Sequence, residues 1–154
     1  MCFRTEHPKP QFERGTWLNL NGEWQFMIDR GCTGEERGVY ADDIVFDGKI
    51  NVPFCPQSRL SGIGDVDFMN SVWYKRTVTL TDENIKGKTY IHFGAVDYKA
   101  TVYVNGKKCG THLGGYVSFK FDISGYVKPG VNYICVNAED DEKDRLIPSG
   151  KQSR

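Results

Sequence analysis

The sequence predicts an all-β domain, either a sandwich or a barrel of seven or eight short strands. Three observations support this prediction. Apolar residues alternate with a period of two in seven segments, whereas the apolar period of helices is scarce. These segments are rich in β-branched and aromatic residues, which suit a pleated, half-buried surface. Seventeen glycines punctuate the chain, as expected where it reverses direction often.

Each strand is predicted from its own alternation. The longest candidate places Val72 and Leu80 on one face, which Arg76 interrupts. Trp73 and Lys75 take the other face. In chain order, the predicted strands are residues 24–28, 50–52, 72–80, 89–93, 100–104, 117–123 and 132–138.

Turn chemistry separates these segments. Asn105-Gly106 is the strongest short hairpin signal, because a type I′ turn needs a positive φ at both central residues. It predicts that a further strand begins directly after Gly106. Lys128-Pro-Gly130 has the composition of an ordinary turn. Residues 81–87 are predicted to hold one helical turn, capped by Thr81 or Asp82.

Composition excludes several classes of partner. The chain has 154 residues, of which 39% are hydrophobic, with 20 basic and 20 acidic residues. This is enough for one globular domain with a core. A neutral balance argues against nucleic acid or an anionic membrane as the main partner, since both require a basic surface. Apolar runs fall short of the roughly 18–20 residues of a membrane span.

The five cysteines favour reduced thiols. They stand at positions 2, 32, 55, 109 and 135. The count is odd, and no two cysteines are close enough in the sequence to form a CxxC motif. This pattern suits neither a disulfide framework nor a zinc site. Since the N-terminus also lacks a segment of signal-peptide type, we expect a cytoplasmic protein.

Catalytic signatures are absent from the sequence. It contains no GxSxG, HExxH or GxGxxG motif, and the three histidines lack metal-ligand spacing. Carboxylates are plentiful, but their spacing singles out no pair for glycosidase chemistry. We therefore expect no catalysis by this chain alone, no cofactor and no metal. Trp17, Trp24 and Trp73 could stack on sugars, but burial in the core is the more ordinary role of such rings.

Two loops carry the candidate polar groups. The segment 53–70 has little strand character, and loops of this length in compact domains are often functional. It contains Asp65, Asp67 and Asn70. A short acidic run that includes Asp140 and Asp141 follows the last predicted strand. A solvated loop is the alternative interpretation of this run.

A series of motifs resembles a known family. In chain order the motifs are Leu20-Asn-Gly-Glu-Trp-Gln-Phe26, Ile50-Asn-Val-Pro53, Trp73-Tyr-Lys-Arg76, His92-Phe-Gly-Ala-Val-Asp-Tyr98, Val102-Tyr-Val-Asn-Gly106, Gly110-Thr-His-Leu-Gly-Gly-Tyr116, Phe119-Lys-Phe-Asp-Ile123 and Gly130-Val-Asn132. Together they resemble the N-terminal sugar-binding domain of glycoside hydrolase family 2, which includes β-galactosidases, β-glucuronidases and β-mannosidases. The resemblance covers nearly the whole chain.

This resemblance implies a jelly-roll β-sandwich of the galactose-binding-like type. In the family, an immunoglobulin-like domain and a (β/α)8 barrel follow, and the barrel carries the two glutamates of a retaining mechanism. The chain is thus expected to be a non-catalytic domain of a larger hydrolase, with β-galactosidase as the first expectation for its type. Residues 1–16 would be an N-terminal extension, 17–147 the jelly roll, and 148–154 the start of a linker to an absent second domain.

The resemblance also implies partners and site residues. The domain would pack on the catalytic barrel and lend loops to one wall of the sugar pocket, binding carbohydrate only weakly when isolated. Candidates for that wall are Asp140, Asp141, Asp67 and Asn70. A homo-oligomer is a further possible assembly. Structural signature residues are Trp73, Arg76, Asp97, Asn105 and Gly106.

Asp97 raises a separate question, because it is a charge within an apolar run. By resemblance it belongs to the family signature Gly-Ala-Val-Asp-Tyr. We expect it to accept hydrogen bonds that fix a strand crossing, with Arg76 as its partner, in preference to a sugar contact.

Two other functions remain open. One is a free-standing carbohydrate-binding module, which saturable binding of a polysaccharide would favour. The other is a structural or oligomerisation domain, which a large exposed apolar patch would favour.

Overall fold

The computed structural model describes residues 4–7, 9, 11, 15–141 and 146. It confirms the all-β prediction, since the described residues form eight strands, all paired antiparallel. The strands are β1 (Gly22–Ile28), β2 (Gly48–Val52), β3 (Ser71–Leu80), β4 (Tyr90–Phe93), β5 (Lys99–Val104), β6 (Lys107–Leu113), β7 (Phe119–Asp122) and β8 (Gly130–Glu139). In this part of the chain, no helix is long and apolar enough to cross a membrane.

The strands form a jelly-roll sandwich of two unequal sheets. The larger sheet has six strands in the order β2-β1-β3-β8-β5-β6, and the smaller sheet pairs β4 with β7. The register aligns Ile28 with Val72, Ser71 with Glu139, and Lys99 with both Glu139 and Leu113. The ends of β1, β6 and β8 therefore meet the starts of β3 and β5 at one end of the sandwich, which we call the cleft end.

The main core lies between the two sheets. Trp24 and Phe26 of β1 pack there with residues of the neighbouring strands, and Ile91 of β4 closes the core from the smaller sheet. Burial of such side chains is the main force that holds two sheets face to face. The other buried members are Ile50, Met69, Val72, Val102, Val104, Ile123, Ile134, Val136 and Ala138.

A second core lies on the outer face of the larger sheet. There the loop 29–47 covers Trp73, Tyr103 and Cys135 with Val39 and Phe46. The strands β3, β5 and β8 are consequently buried on both faces, which explains the nearly continuous burial of β5 and β8. Sequence alternation did not predict this cover, because most of the loop lacks a periodic pattern.

Lys75 fastens the covering loop to the sheet. The residue is 2% exposed, and its Nζ donates hydrogen bonds to the carbonyl oxygens of Val39, Ala41 and Ile44 at 3.1, 2.6 and 2.6 Å. The ammonium also lies 4.9 Å from the ring centroid of Phe46. Burial lowers the pKa of Lys75, whereas the three carbonyl bonds favour the charged form.

The Asn105-Gly106 turn has the predicted backbone, with φ of 50° and 70°. In addition, the Asn105 side chain anchors the turn. Its Nδ2 donates to Tyr126 O at 2.7 Å and to Asn132 Oδ1 at 2.9 Å, and its Oδ1 accepts from Tyr133 N at 2.9 Å. Asn132 is buried and donates onward to two further carbonyls.

The expected pairing of Asp97 with Arg76 is wrong. Arg76 instead donates through Nη1 to the carbonyl oxygens of Leu20 and Asn21 at 2.8 and 3.0 Å. Asp97 lies on an exposed connection between β4 and β5, and its peptide bond to Tyr98 is cis. Among the described residues, its carboxylate takes part in none of the ion pairs.

The helical turn expected in 81–87 is also wrong. Thr81 and Asn84 bond each other through side chain and backbone, and this local turn replaces the first helical turn. Within residues 15–141, the helical piece is a 3-10 turn, Arg59–Ser61. The domain boundaries stay predictions, and residues 148–154 lie outside the described residues.

Candidate functional site

An open cleft of about 360 Å³ lies at the cleft end. Antiparallel pairing assembles it, because five strand termini meet there. The backbone N–H of Asp140 donates to Asn70 O at 3.0 Å, and that of Tyr98 donates to Glu139 O at 3.1 Å. Its described lining residues are Cys32, Asn70, Tyr98, Lys99, Leu113, Glu139, Asp140, Asp141 and Leu146.

Three of the four residues proposed for a sugar pocket line this cleft. Asn70 reaches it from the start of β3, while Asp140 and Asp141 reach it from the end of β8. Asp67 is not among the lining residues. Its backbone N–H donates to Asp65 Oδ1 at 2.9 Å within the exposed long loop.

Two further polar residues belong to the cleft. Lys99 Nζ lies 2.8 Å from Glu139 Oε2, and both side chains are about one third exposed. These residues are cross-strand partners in the β5–β8 pair, so only the strand register brings them together. Carboxylates accept hydrogen bonds from hydroxyl groups, and an ammonium donates hydrogen bonds to hydroxyl oxygens. The cleft can therefore hold a polyhydroxylated ligand through several directed bonds.

A second open cleft adjoins the first one and shares Cys32, Lys99 and Glu139 with it. It adds the acidic residues Asp29, Glu35 and Glu36.

Asp29 is held rigidly at the base of the second cleft. It is buried and accepts from Gly34 N at 2.6 Å and from Trp73 Nε1 at 3.2 Å. Gly34 is required here, since a Cβ would collide with both the Trp73 ring and the Asp29 carboxylate. Trp73 is thus a core residue whose indole N–H orients an acid.

The described cysteines differ in access. Cys32 and Cys55 are exposed, whereas burial raises the pKa of Cys135 to about 12 and that of Cys109 to about 11. Burial also raises the pKa of Cys32, but both exposed thiols are open to solvent, and we therefore expect Cys32 and Cys55 to be alkylated before the less accessible Cys109 and Cys135. Cys32 is the one in the cleft.

Comparison with known proteins places the chain in a family. The family model described as "Glycosyl hydrolases family 2, sugar binding domain" matches residues 62–143. The chain belongs to this family. The matched segment contains Asp67, Asn70, Asp140 and Asp141, so all four proposed residues lie within the sugar-binding domain, and three of them line the cleft.

Several relatives of this family 2 domain are known enzymes. The β-galactosidase of Thermoanaerobacter pseudethanolicus is 42% identical over 87 residues, which are 54% of this chain and 12% of that protein. A β-glucuronidase of Formosa agariphila is 32% identical over 152 residues, which are 87% of this chain and 14% of that protein. The solved β-glucuronidase of Lactobacillus rhamnosus superposes with a TM-score of 0.71 at 32% identity, over 80% of this chain and 21% of that chain.

The chain thus spans from about a tenth to a fifth of the length of these relatives. The likeness confirms the family 2 sugar-binding domain and its sandwich fold.

Proposed function

We propose that this chain is the non-catalytic sugar-binding domain of a family 2 glycoside hydrolase, and that its cleft end forms one wall of the sugar pocket. The observation that supports the proposal is the convergence of Asn70, Asp140 and Asp141 on one cleft. The rest of the parent enzyme supplies the other wall and the catalytic groups. In this proposal the parent is a retaining glycosidase that acts on β-galactosides or β-glucuronides, the activities for which its relatives are named.

The geometry suits a wall better than a complete site. Strands of the larger sheet hold Lys99 and Glu139 in register, so these polar groups are presented on a rigid scaffold. The cleft is open, however, and a sugar lying in it would keep much of its surface in water. Complete pockets bury most of a small ligand, and we therefore expect the isolated chain to bind sugar weakly.

The purified chain should not hydrolyse nitrophenyl β-galactoside or nitrophenyl β-glucuronide. The physical reason is that the described carboxylates of the cleft serve as wall contacts, while the acid and the nucleophile come from the rest of the parent. Release of nitrophenol is followed over hours at high protein concentration. Turnover that persists through repeated purification and disappears in an Asp140→Asn variant would contradict the proposal.

Weak, localised sugar binding is the positive test. Titration with methyl β-galactoside should shift the backbone amide signals of Asn70, Tyr98 and Glu139, with a Kd in the millimolar range or weaker, roughly −4 kcal/mol or less favourable. Asn70→Ala and Asp140→Ala should weaken these shifts several-fold. Asp67→Ala is the matched control, because it removes a carboxylate of the same long loop that does not line the cleft. Equal loss in all three variants would argue against this site.

A second candidate function is an interface with another domain or subunit. Its support is a group of exposed apolar residues in and after β6 at the cleft end: Leu113, Tyr116 and Val117. Exposed apolar surface of this kind commonly marks a protein contact. It is compatible with the first proposal if the contact is the parent's catalytic domain. Concentration-dependent dimerisation of the isolated chain, measured by light scattering, would favour the subunit contact.

A further inference from the structure

We propose that the segment 39–46 of the covering loop forms a receptor for a primary ammonium group, and that Lys75 supplies this ligand from within the chain. The inference concerns the outer face of the larger sheet and is independent of the proposed sugar wall. It predicts a property that a merely polar core residue would not confer. If the side chain at position 75 is too short to reach the loop, the receptor binds an external primary amine.

Three main-chain carbonyl groups of the loop converge on one point. The oxygen atoms of Val39, Ala41 and Ile44 lie 3.1, 2.6 and 2.6 Å from Nζ of Lys75. A primary ammonium has three N–H donors and no acceptor, so its donors match these acceptors in number. A quaternary ammonium has no N–H donor and would leave all three carbonyl groups unpaired. The arrangement therefore selects a primary ammonium among organic cations.

The receptor is held in shape by contacts that do not involve the ammonium. The same three residues donate through their backbone N–H groups to the carbonyl oxygens of Gly34, Gly38 and Ala41 at 3.1, 3.0 and 3.2 Å. In addition, the ring of Tyr40 stacks on that of Tyr103 in β5, with 4.4 Å between the centroids. A preformed site loses less conformational entropy when it is occupied. We therefore expect the carbonyl groups to keep their positions when the lysine side chain is shortened.

The surroundings favour a cation over a neutral group. The ring centroid of Phe46 lies 4.9 Å from Nζ, within the range of a cation–π contact. Burial lowers the pKa of Lys75, whereas nearby acidic groups, including Asp42 and Asp43, raise it. The Oδ1 atom of Asp42 is buried and has no hydrogen-bond partner in the described part of the chain. A nearby positive charge stabilises such a carboxylate oxygen, so Asp42 should contribute to binding.

A truncated side chain at position 75 leaves a space of defined shape. Lys75 is 2% exposed, so this space lies between β3 and the loop. Lys75→Ala removes Cγ, Cδ, Cε and Nζ, which together are the heavy atoms of n-propylammonium. Lys75→Met also removes the ammonium, but its side chain keeps most of the volume. The two variants therefore lack the same charge and differ in whether an external amine can enter.

Titration of the Lys75→Ala chain with n-propylammonium chloride tests the inference. Urea unfolding gives the folding equilibrium constant at each amine concentration, and hydrogen exchange at residues 39–46 reports whether the loop is held. n-Propanol tests the filling of the space without charge, and tetramethylammonium chloride tests a cation without N–H donors. Lys75→Met is the matched control variant.

We expect half-saturation of Lys75→Ala at about 10–100 mM n-propylammonium, and an increase of about ten-fold in its folding equilibrium constant at ten times that concentration. Exchange in the loop should slow, and a second substitution, Asp42→Asn, should weaken the response several-fold. Lys75→Met should not respond. Equal stabilisation of both variants, or equal stabilisation by n-propanol, would overturn the inference. So would a Lys75→Ala chain that stays unfolded at every amine concentration while Lys75→Met folds.

The wild-type chain provides a measurement that does not depend on the folding of any variant. Ammonium protons that are bonded to three buried carbonyl groups exchange slowly with water, so the Nζ signal of Lys75 should be visible by nuclear magnetic resonance at neutral pH. Lys49 is the internal control, because its ammonium is exposed and pairs with Glu23 at the surface. Protons of Lys75 that exchange as fast as those of Lys49 would overturn the inference whatever the variants show.

Discussion

Replacing Lys75 with methionine should destabilise the domain by about 2–4 kcal/mol, because three carbonyl groups lose a charged donor in a buried setting. Methionine keeps most of the side-chain volume, so a cavity contributes little. The variant no longer buries an ammonium, and this offsets part of the lost stability. The expected loss of unfolding free energy is therefore smaller than the sum of three broken hydrogen bonds. Urea unfolding at neutral pH measures the change in the free energy of unfolding.

The effect should be localised as well as large. Hydrogen exchange should accelerate at residues 39–46, since Val39, Ala41 and Ile44 are the three acceptors. Lys49→Met is the matched control, because Lys49 forms an exposed pair with Glu23, and such pairs contribute at most about 1 kcal/mol. A loss below about 0.5 kcal/mol with unchanged exchange in the loop would show that Lys75 does not hold it.

Two substitutions of Asn105 should separate the contribution of its side-chain hydrogen bonds from the contribution of its left-handed backbone conformation. Asn105→Gly preserves the positive φ but removes three side-chain hydrogen bonds, and we expect a loss of about 2–3 kcal/mol. Asn105→Ala removes the same bonds and adds the cost of a left-handed backbone at a residue with a Cβ, about 1 kcal/mol more. Both variants are compared with the wild type by urea unfolding.

The two Asn105 variants serve as controls for each other. Equal losses would show that the backbone conformation contributes nothing beyond the side-chain network. A glycine variant as stable as the wild type would show that the bonds to Tyr126, Asn132 and Tyr133 are dispensable. Cys109, in the neighbouring strand and partly buried, should remain slow to alkylate in any variant that keeps the hairpin.

Much of the fold could be predicted because its signals are local. Alternation located the seven segments to within a few residues, and Asn105-Gly106 predicted the hairpin that leads into β6. The backbone angles of a two-residue turn depend on the residues in it, so neighbours in the sequence suffice. The motif series likewise predicted the family, which the match over residues 62–143 confirms.

The candidate site was predicted only in part. Asn70, Asp140 and Asp141 were proposed from two loops and meet in one cleft, whereas Asp67 was proposed from the same reasoning and does not line it. Lys99 and Glu139 were missed, since they are 40 positions apart and only the β5–β8 register makes them neighbours. The Arg76 prediction failed because two carbonyl oxygens of the segment before β1 lie within its reach.

The sequence by itself determined the all-β class, the strand positions and the family, because alternation and turn chemistry act between residues close in the chain. Tertiary structure alone decided which polar side chains share the cleft, and it alone decided that the loop 29–47 covers Trp73 and Lys75. These features depend on strand order and register, which bring distant residues together. Lys75 illustrates the difference. In the sequence it is a polar residue on the second face of a strand, whereas in the fold it is buried and bonds the covering loop to the larger sheet.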